Sequence, residues 1–186
     1  TFKQTPLPLP AIPVQKPSRL RIGYFSSDFR EHAVAHGIID LLTSHNRERF
    51  NIHAFSFGSN DGSKMRKRII EAVDIFHDVK EMADLDIALL AQQNKIDIAI
   101  DLNGYTAKNR AHIFAYRAAP IQIHFWGTAN SSGAASIDYF IGDSLGVPKK
   151  HDHHYSESVI RLPYFFQSKY ASGAISDHPI TRADMG

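Results

Sequence analysis

The 186-residue chain contains no cysteine. That excludes disulfides and thiolate metal sites and is compatible with a reducing compartment. It has little charge of either sign in excess: 21 Lys and Arg stand against 19 Asp and Glu, a net +2, and no run of like charges stands out. Binding to nucleic acid or to an anionic membrane surface needs a concentrated basic patch, so neither partner is expected. No apolar stretch approaches the roughly 18–20 residues of a membrane span. The proline-bearing N-terminus does not read as a secretory signal. There is no initiator Met, so a fragment or a processed chain is expected. No internal repeat is present. No Gly-x-Gly-x-x-Gly occurs, which argues against a dinucleotide pyrophosphate site after the first strand. Ser26, Ser27, Asp28 and His32 could be assembled on paper into a hydrolase triad, but no Gly-x-Ser-x-Gly elbow accompanies them.

What is present is an ordinary globular composition, long enough for one domain with a real core. Eleven histidines make the net charge sensitive to pH below about 6.5. Residues 1–18 carry prolines at 6, 8, 10, 13 and 17. Proline at such spacing blocks helix and central strand, so an extended linker is expected there. From Leu20 onward strands and helices alternate. Strands are expected over 20–26, 50–57, 75–79, 96–102, 121–125 and 137–141, with a short last one at 159–163. Helices are expected over 34–43, from Asp61 to about Ala72, over 84–93 and over 111–116. The pattern predicts an α/β fold: a Rossmann-like, mainly parallel sheet flanked by helices and joined by right-handed crossovers. After Pro148 the rhythm fades into expected loop over 167–179, and Thr181 could cap a further helix.

In such sheets ligands bind beyond the carboxyl ends of strands, which points to three polar loops. The first, Ser26-Ser-Asp-Phe-Arg-Glu-His32, offers hydroxyls, carboxylates and an imidazole. Its competing reading is helix capping by Ser27 or Asp28 with His32 solvated. The second, Asp101-Leu-Asn-Gly-Tyr-Thr106, ends a doubly apolar strand. Asn103, Tyr105 and Thr106 offer neutral hydrogen bonds suited to a sugar or a peptide backbone, and Gly104 permits a positive φ or close approach. Asn-Gly is also an ordinary turn. Arg110 lies just beyond and either reaches an anion or sits on the surface. The third is Trp126-Gly-Thr-Ala-Asn-Ser-Ser-Gly133. Between them, Arg117-Ala-Ala-Pro-Ile-Gln122 reads as architecture, with its arginine locking a turn. His151-Asp-His-His154 packs potential metal ligands nearly contiguously, whereas metal sites usually draw ligands held apart by structure. A solvated loop is the reading adopted, and no metal or cofactor is expected.

Three of these segments carry a family resemblance. Gly23-Tyr-Phe-Ser-Ser-Asp-Phe with His32, Asp101-Leu-Asn-Gly-Tyr-Thr106 and Arg117-Ala-Ala-Pro-Ile-Gln122 resemble the catalytic region of the O-linked N-acetylglucosamine transferases and their SPINDLY-like relatives. Tyr155-Ser-Glu and Arg161-Leu-Pro also match the family pattern and are read as structural. The resemblance implies the first lobe of a two-lobed GT-B glycosyltransferase over residues 19–180. Residues 181–186 would then lead into a second lobe that holds most nucleotide-sugar contacts, and residues 1–18 would follow a tetratricopeptide-repeat region. It further implies an inverting, metal-independent, cytoplasmic enzyme that moves N-acetylglucosamine from UDP-N-acetylglucosamine to protein Ser or Thr hydroxyls. Without the second lobe the chain is expected to transfer no sugar.

The histidine at the place of His32 faces the sugar-transfer site in that family and is its proposed base. Asn103, Tyr105, Thr106, Arg110, Gly127, Thr128 and Ser131 are the substrate-binding residues expected on the same ground. The loop after Trp126 departs from the family's Gly-Tyr-Pro-Gly-Thr-x-Gly. Gly127 and Gly133 remain, while Thr128, Ala129 and Asn130 replace the Tyr-Pro-Gly portion and Ser131 replaces the Thr. Two alternatives therefore stand beside the main reading: a SPINDLY-like protein O-fucosyltransferase using GDP-fucose, and a non-catalytic peptide-binding module.

Overall fold

The structure, a computed structural model, describes residue 8, residues 17–166 and residues 181–182. Most of the linker expected over 1–18, the loop expected over 167–179 and the helix expected to follow Thr181 lie outside the described residues. The strands are β1 (Leu20–Ser26), β2 (Phe50–Ser56), β3 (Ile75–Asp78), β4 (Ile98–Asp101), β5 (Ile121–His124), β6 (Tyr139–Asp143) and β7 (Ser158–Leu162). The helices are α1 (Ala33–Ser44), α2 (Lys64–Glu71), α3 (Asp84–Gln93) and α4 (His112–Ala115). A 3-10 helix spans Lys149–His154, where a solvated loop was expected.

All seven strands form one sheet in the order β3-β2-β1-β4-β5-β6-β7, and every pair is parallel. Strands buried on both faces read as continuous apolar runs, as Ile-Gly-Tyr-Phe and Ile-Ala-Ile do. Alternation along β1 sends Ile22 and Tyr24 into one core and Phe25 into the other. The first core lies under Ala35, Ile38, Ile39 and Leu42 of α1 and Met65 and Ile69 of α2. The second lies under Ile87, Ala88 and Ala91 of α3 and Ile113 and Phe114 of α4. In it the Phe25 and Phe55 rings stack at 4.4 Å, with Phe114 edge-on to Phe25 at 5.4 Å.

Most element ends fall within two residues of the sequence expectation, and two of the differences have a clear physical cause. The strand expected over 137–141 pairs instead over Tyr139–Asp143. Ile137 is buried in the second core without joining the ladder, so its apolar character reports burial rather than pairing. Helix α2 begins at Lys64, because Ser63 accepts the Arg66 amide at 3.1 Å and ends the turn before it.

The Arg117-Ala-Ala-Pro-Ile-Gln122 segment is architectural in detail. The Arg117 guanidinium binds the Asp138 carboxylate at 2.9 and 2.7 Å and the carbonyls of Pro120 and Ser136. The buried Gln122 amide donates to the Phe114 and Ser136 carbonyls and accepts from the Ala118 amide.

Candidate functional site

The chain runs outward from β1 to β2 and β3, then returns and runs the other way from β4 to β7. The order therefore reverses between β1 and β4. Loops leaving the carboxyl ends of strands diverge at such a reversal and leave a crevice. The loop after β1 (27–32), the loop after β4 (102–106) and the loop after β5 (125–133) all lie at this edge.

Asn103 joins the first two. It is 1% exposed. Its Oδ1 accepts the Ser27 amide at 2.9 Å. Its Nδ2 lies 2.9 Å from Ser27 Oγ, 3.1 Å from Thr106 Oγ1 and 3.2 Å from Asp28 Oδ2. The Thr106 hydroxyl donates to the Asn103 carbonyl. The third loop closes on the second at two glycines. A Cβ on Gly127 would stand 2.1 Å from the Asn103 carbonyl oxygen, and a Cβ on Gly104, at φ +55°, would stand 2.9 Å from Thr128 Oγ1. The three loops thus form one cluster. Tyr105 stands at its crest, 53% exposed, with its ring available for stacking.

His32 occupies the N-cap of α1, a role that the competing reading of this loop gave to Ser27 or Asp28. Its Nδ1 accepts the Val34 amide hydrogen at 3.2 Å and lies 3.8 Å from Asp28 Oδ2. With Nδ1 accepting, the hydrogen of the neutral ring sits on Nε2. The side chain remains 37% exposed. Asp28 is buried, held by Arg30 at 3.2 Å and by Asn103. Near its end the first loop is also held by Asp61, which accepts the Glu31 amide at 2.8 Å.

Other expected site residues spend their polar groups on the protein. The Arg110 guanidinium binds Asp84 at 2.5 Å and the Met82 carbonyl at 2.6 Å, and lies over the Phe57 ring. It anchors the second loop to the start of α3. The Ser131 hydroxyl binds Glu157 at 2.7 Å. His151, His153 and His154 are exposed, and no group of three or more possible ligands converges among the described residues.

Two groups at this edge were not among the expected site residues, Glu157 having been read as structural. Glu157, just before β7, is buried and accepts from Ser131, Ser132 and Ser156. His124 ends β5 in register with Asp101, fully buried, and neither ring nitrogen has a hydrogen-bond partner among the described residues. Burial pushes the Asp101 carboxyl up, against the pull of the Asn103 amide and of His124. Burial likewise pushes His124 down, against Asp101 and Glu157. The sequence signal for His124 is an imidazole at the carboxyl end of the strand Ile121-Gln-Ile-His124.

Comparison with known proteins agrees with this architecture. The profile of glycosyl transferase family 41 matches residues 2–178. The probable UDP-N-acetylglucosamine–peptide N-acetylglucosaminyltransferase SEC of Arabidopsis thaliana is 40% identical over 153 residues, covering 82% of this chain and 16% of that protein. The UDP-N-acetylglucosamine–peptide N-acetylglucosaminyltransferase of Caenorhabditis elegans is 34% identical over 154 residues, 82% of this chain and 13% of its own length. A solved structure of a Thermobaculum terrenum O-GlcNAc transferase mutant superposes with a TM-score of 0.81 at 31% identity, covering 87% of this chain and 31% of that one. The chain therefore spans under a third of each of these relatives, and it belongs to glycosyl transferase family 41.

Proposed function

We propose that the chain forms the acceptor-side lobe of an inverting protein O-glycosyltransferase that moves N-acetylglucosamine from UDP-N-acetylglucosamine to Ser or Thr hydroxyls. The observation that carries this reading is the convergence of the loops after β1, β4 and β5 at the reversal of strand order, with His32 and Tyr105 left exposed there. The names of the SEC and nematode relatives support the donor and the peptide acceptor. In the reaction the acceptor oxygen bonds to the anomeric carbon as the bond to the diphosphate breaks, and the hydroxyl proton must leave. Nucleotide and diphosphate contacts fall to a second lobe.

His32 bears on the proton. In its capping tautomer it presents an Nε2–H donor, which orients an acceptor or sugar oxygen. To take a proton through Nε2 it must carry its own hydrogen on Nδ1. That means exchanging the Val34 amide for the Asp28 carboxylate 3.8 Å away. Asp28 is then the group that holds the imidazole in the basic tautomer, and a base so placed contributes about 10²–10⁴ in rate.

The test is a whole enzyme carrying this lobe, assayed with labelled UDP-N-acetylglucosamine and GDP-fucose. His32→Asn keeps an N-cap side chain and removes the imidazole. It should lower kcat by roughly 10²–10⁴ with little change in Tm, while His151→Ala leaves the rate alone. Equal behaviour of the two variants would remove His32 from the chemistry, and transfer from GDP-fucose alone would replace the donor. A peptide-binding module without catalysis is the second reading. It is favoured by the internal use of Arg110, Asn103 and Ser131, and peptide binding without transfer from either donor would establish it.

A further inference from the structure

The loop 127–133 contains no proline, so nothing in Thr128, Ala129 or Asn130 restricts its own backbone as a ring would. Its order comes from outside. Glu157 is 5% exposed, and its carboxylate accepts the Ser131 hydroxyl at 2.7 Å, the Ser132 amide at 2.7 Å, the Ser156 hydroxyl at 3.1 Å and the Ser132 hydroxyl. A buried carboxylate is costly unless donors surround it, and charge-assisted bonds of this kind are about twice as strong as neutral ones. The serines carry the hold onward: Ser131 Oγ accepts the Gly133 and Ser156 amides, and Ser132 Oγ accepts the Ala134 amide. Beside them the Tyr155 hydroxyl donates to the Ala129 carbonyl at 2.7 Å. The other end of the loop is pressed onto the 102–106 loop at Gly127 and Thr128.

We infer that Glu157 is a positioning residue for the site: through Ser131 and Ser132 it fixes the far end of the 127–133 loop, and so sets where Gly127 and Thr128 meet Asn103 and Gly104. The assignment rests on reading this loop as part of the transfer site. No residue of the 155–157 segment needs to touch substrate.

The experiment is amide hydrogen exchange with two-dimensional amide spectra on this chain, comparing wild type, Glu157→Ala and a double Ser131→Ala, Ser132→Ala variant. Both variants should lower protection of the residue 132 amide tenfold or more. Both should shift the Gly127 and Thr128 amide signals while the β4 and β5 amides keep their protection. Unchanged loop signals in both variants would overturn the assignment. So would a loss spread evenly over β4 and β5, which would make Glu157 a support of the fold rather than of the loop. If Glu157→Ala does not fold, the serine variant decides alone. No sugar or nucleotide enters the measurement, so its failure leaves the transferase reading untouched, and failure of that reading leaves this result standing.

Discussion

Gly127 shows how little room the loops leave each other. Its place against the Asn103 carbonyl oxygen admits no Cβ, since one would lie 2.1 Å from backbone that cannot swing aside. Gly127→Ala should therefore cost about 1–3 kcal/mol, the usual range for overpacking. Thermal melts should show a drop of roughly 2–4 °C for each kcal/mol; an unchanged Tm would mean the two loops are further apart. The chemistry of individual residues was legible in the sequence, but their partners were not. Asn103, Arg110 and Ser131 are hydrogen-bonding groups at a strand-end edge, as expected. What occupies them is Ser27 at 76 positions, Asp84 at 26 and Glu157 at 26. Side-chain type reveals capacity, and only the fold reveals whether that capacity is spent. His32 illustrates the same limit: the family resemblance implied a base, and only the fold shows that it is also a helix cap.

At the level of elements, α1 is tied to the site through a close approach. A Cβ on Gly37 would meet the Trp126 ring at 2.1 Å, and Trp126 itself sits at φ +79°, a strained position for a bulky side chain. Gly37→Ala would gain about 1 kcal/mol of helix propensity elsewhere. Here it should displace the indole. Trp126 is the single tryptophan of the chain, so its emission spectrum reads the displacement directly. An unchanged spectrum would show that the helix and the third loop do not press on each other. The elements were well marked in the sequence because buried parallel strands are continuously apolar and the helices carry an apolar stripe. The exceptions have physical causes. Ile137 is apolar because it is buried, not because it pairs. The His-rich segment coils into a 3-10 helix after Pro148, where its rings stay exposed.

For the whole molecule, titration gives a directional expectation. Burial, with His77 beside it, lowers His53 to about 4, and burial also lowers His77 and His45. A histidine whose folded pKa lies below its unfolded value of about 6.5 stabilises the fold above that value and loses the contribution as pH falls through the folded pKa. Asp61 is held down to about 2, chiefly by the Glu31 amide. Burial pushes Glu157 up, but bonds from Ser132 and Ser131 outweigh it and hold the group below the ordinary range. These carboxylates lose their contribution only at lower pH, below about 4. Asp101, raised by burial, runs the other way and favours the fold when protonated. Denaturant midpoints should therefore decline between pH 6.5 and 4, before the lowered carboxylates titrate. His53→Gln should flatten that decline, and an equal slope in the variant would place its origin elsewhere. The reversal of strand order between β1 and β4 has a consequence for synthesis as well. The first strand of the sheet to be made, β1, is an interior one, and its neighbour β4 lies across the Ser27–Asn103 separation of 76 positions. At about 5–20 residues per second, a ribosome needs roughly 4–15 s to supply that partner. Throughout that interval the β4 side of β1 has no partner of its own, and an unpaired strand edge is a template on which another chain can pair.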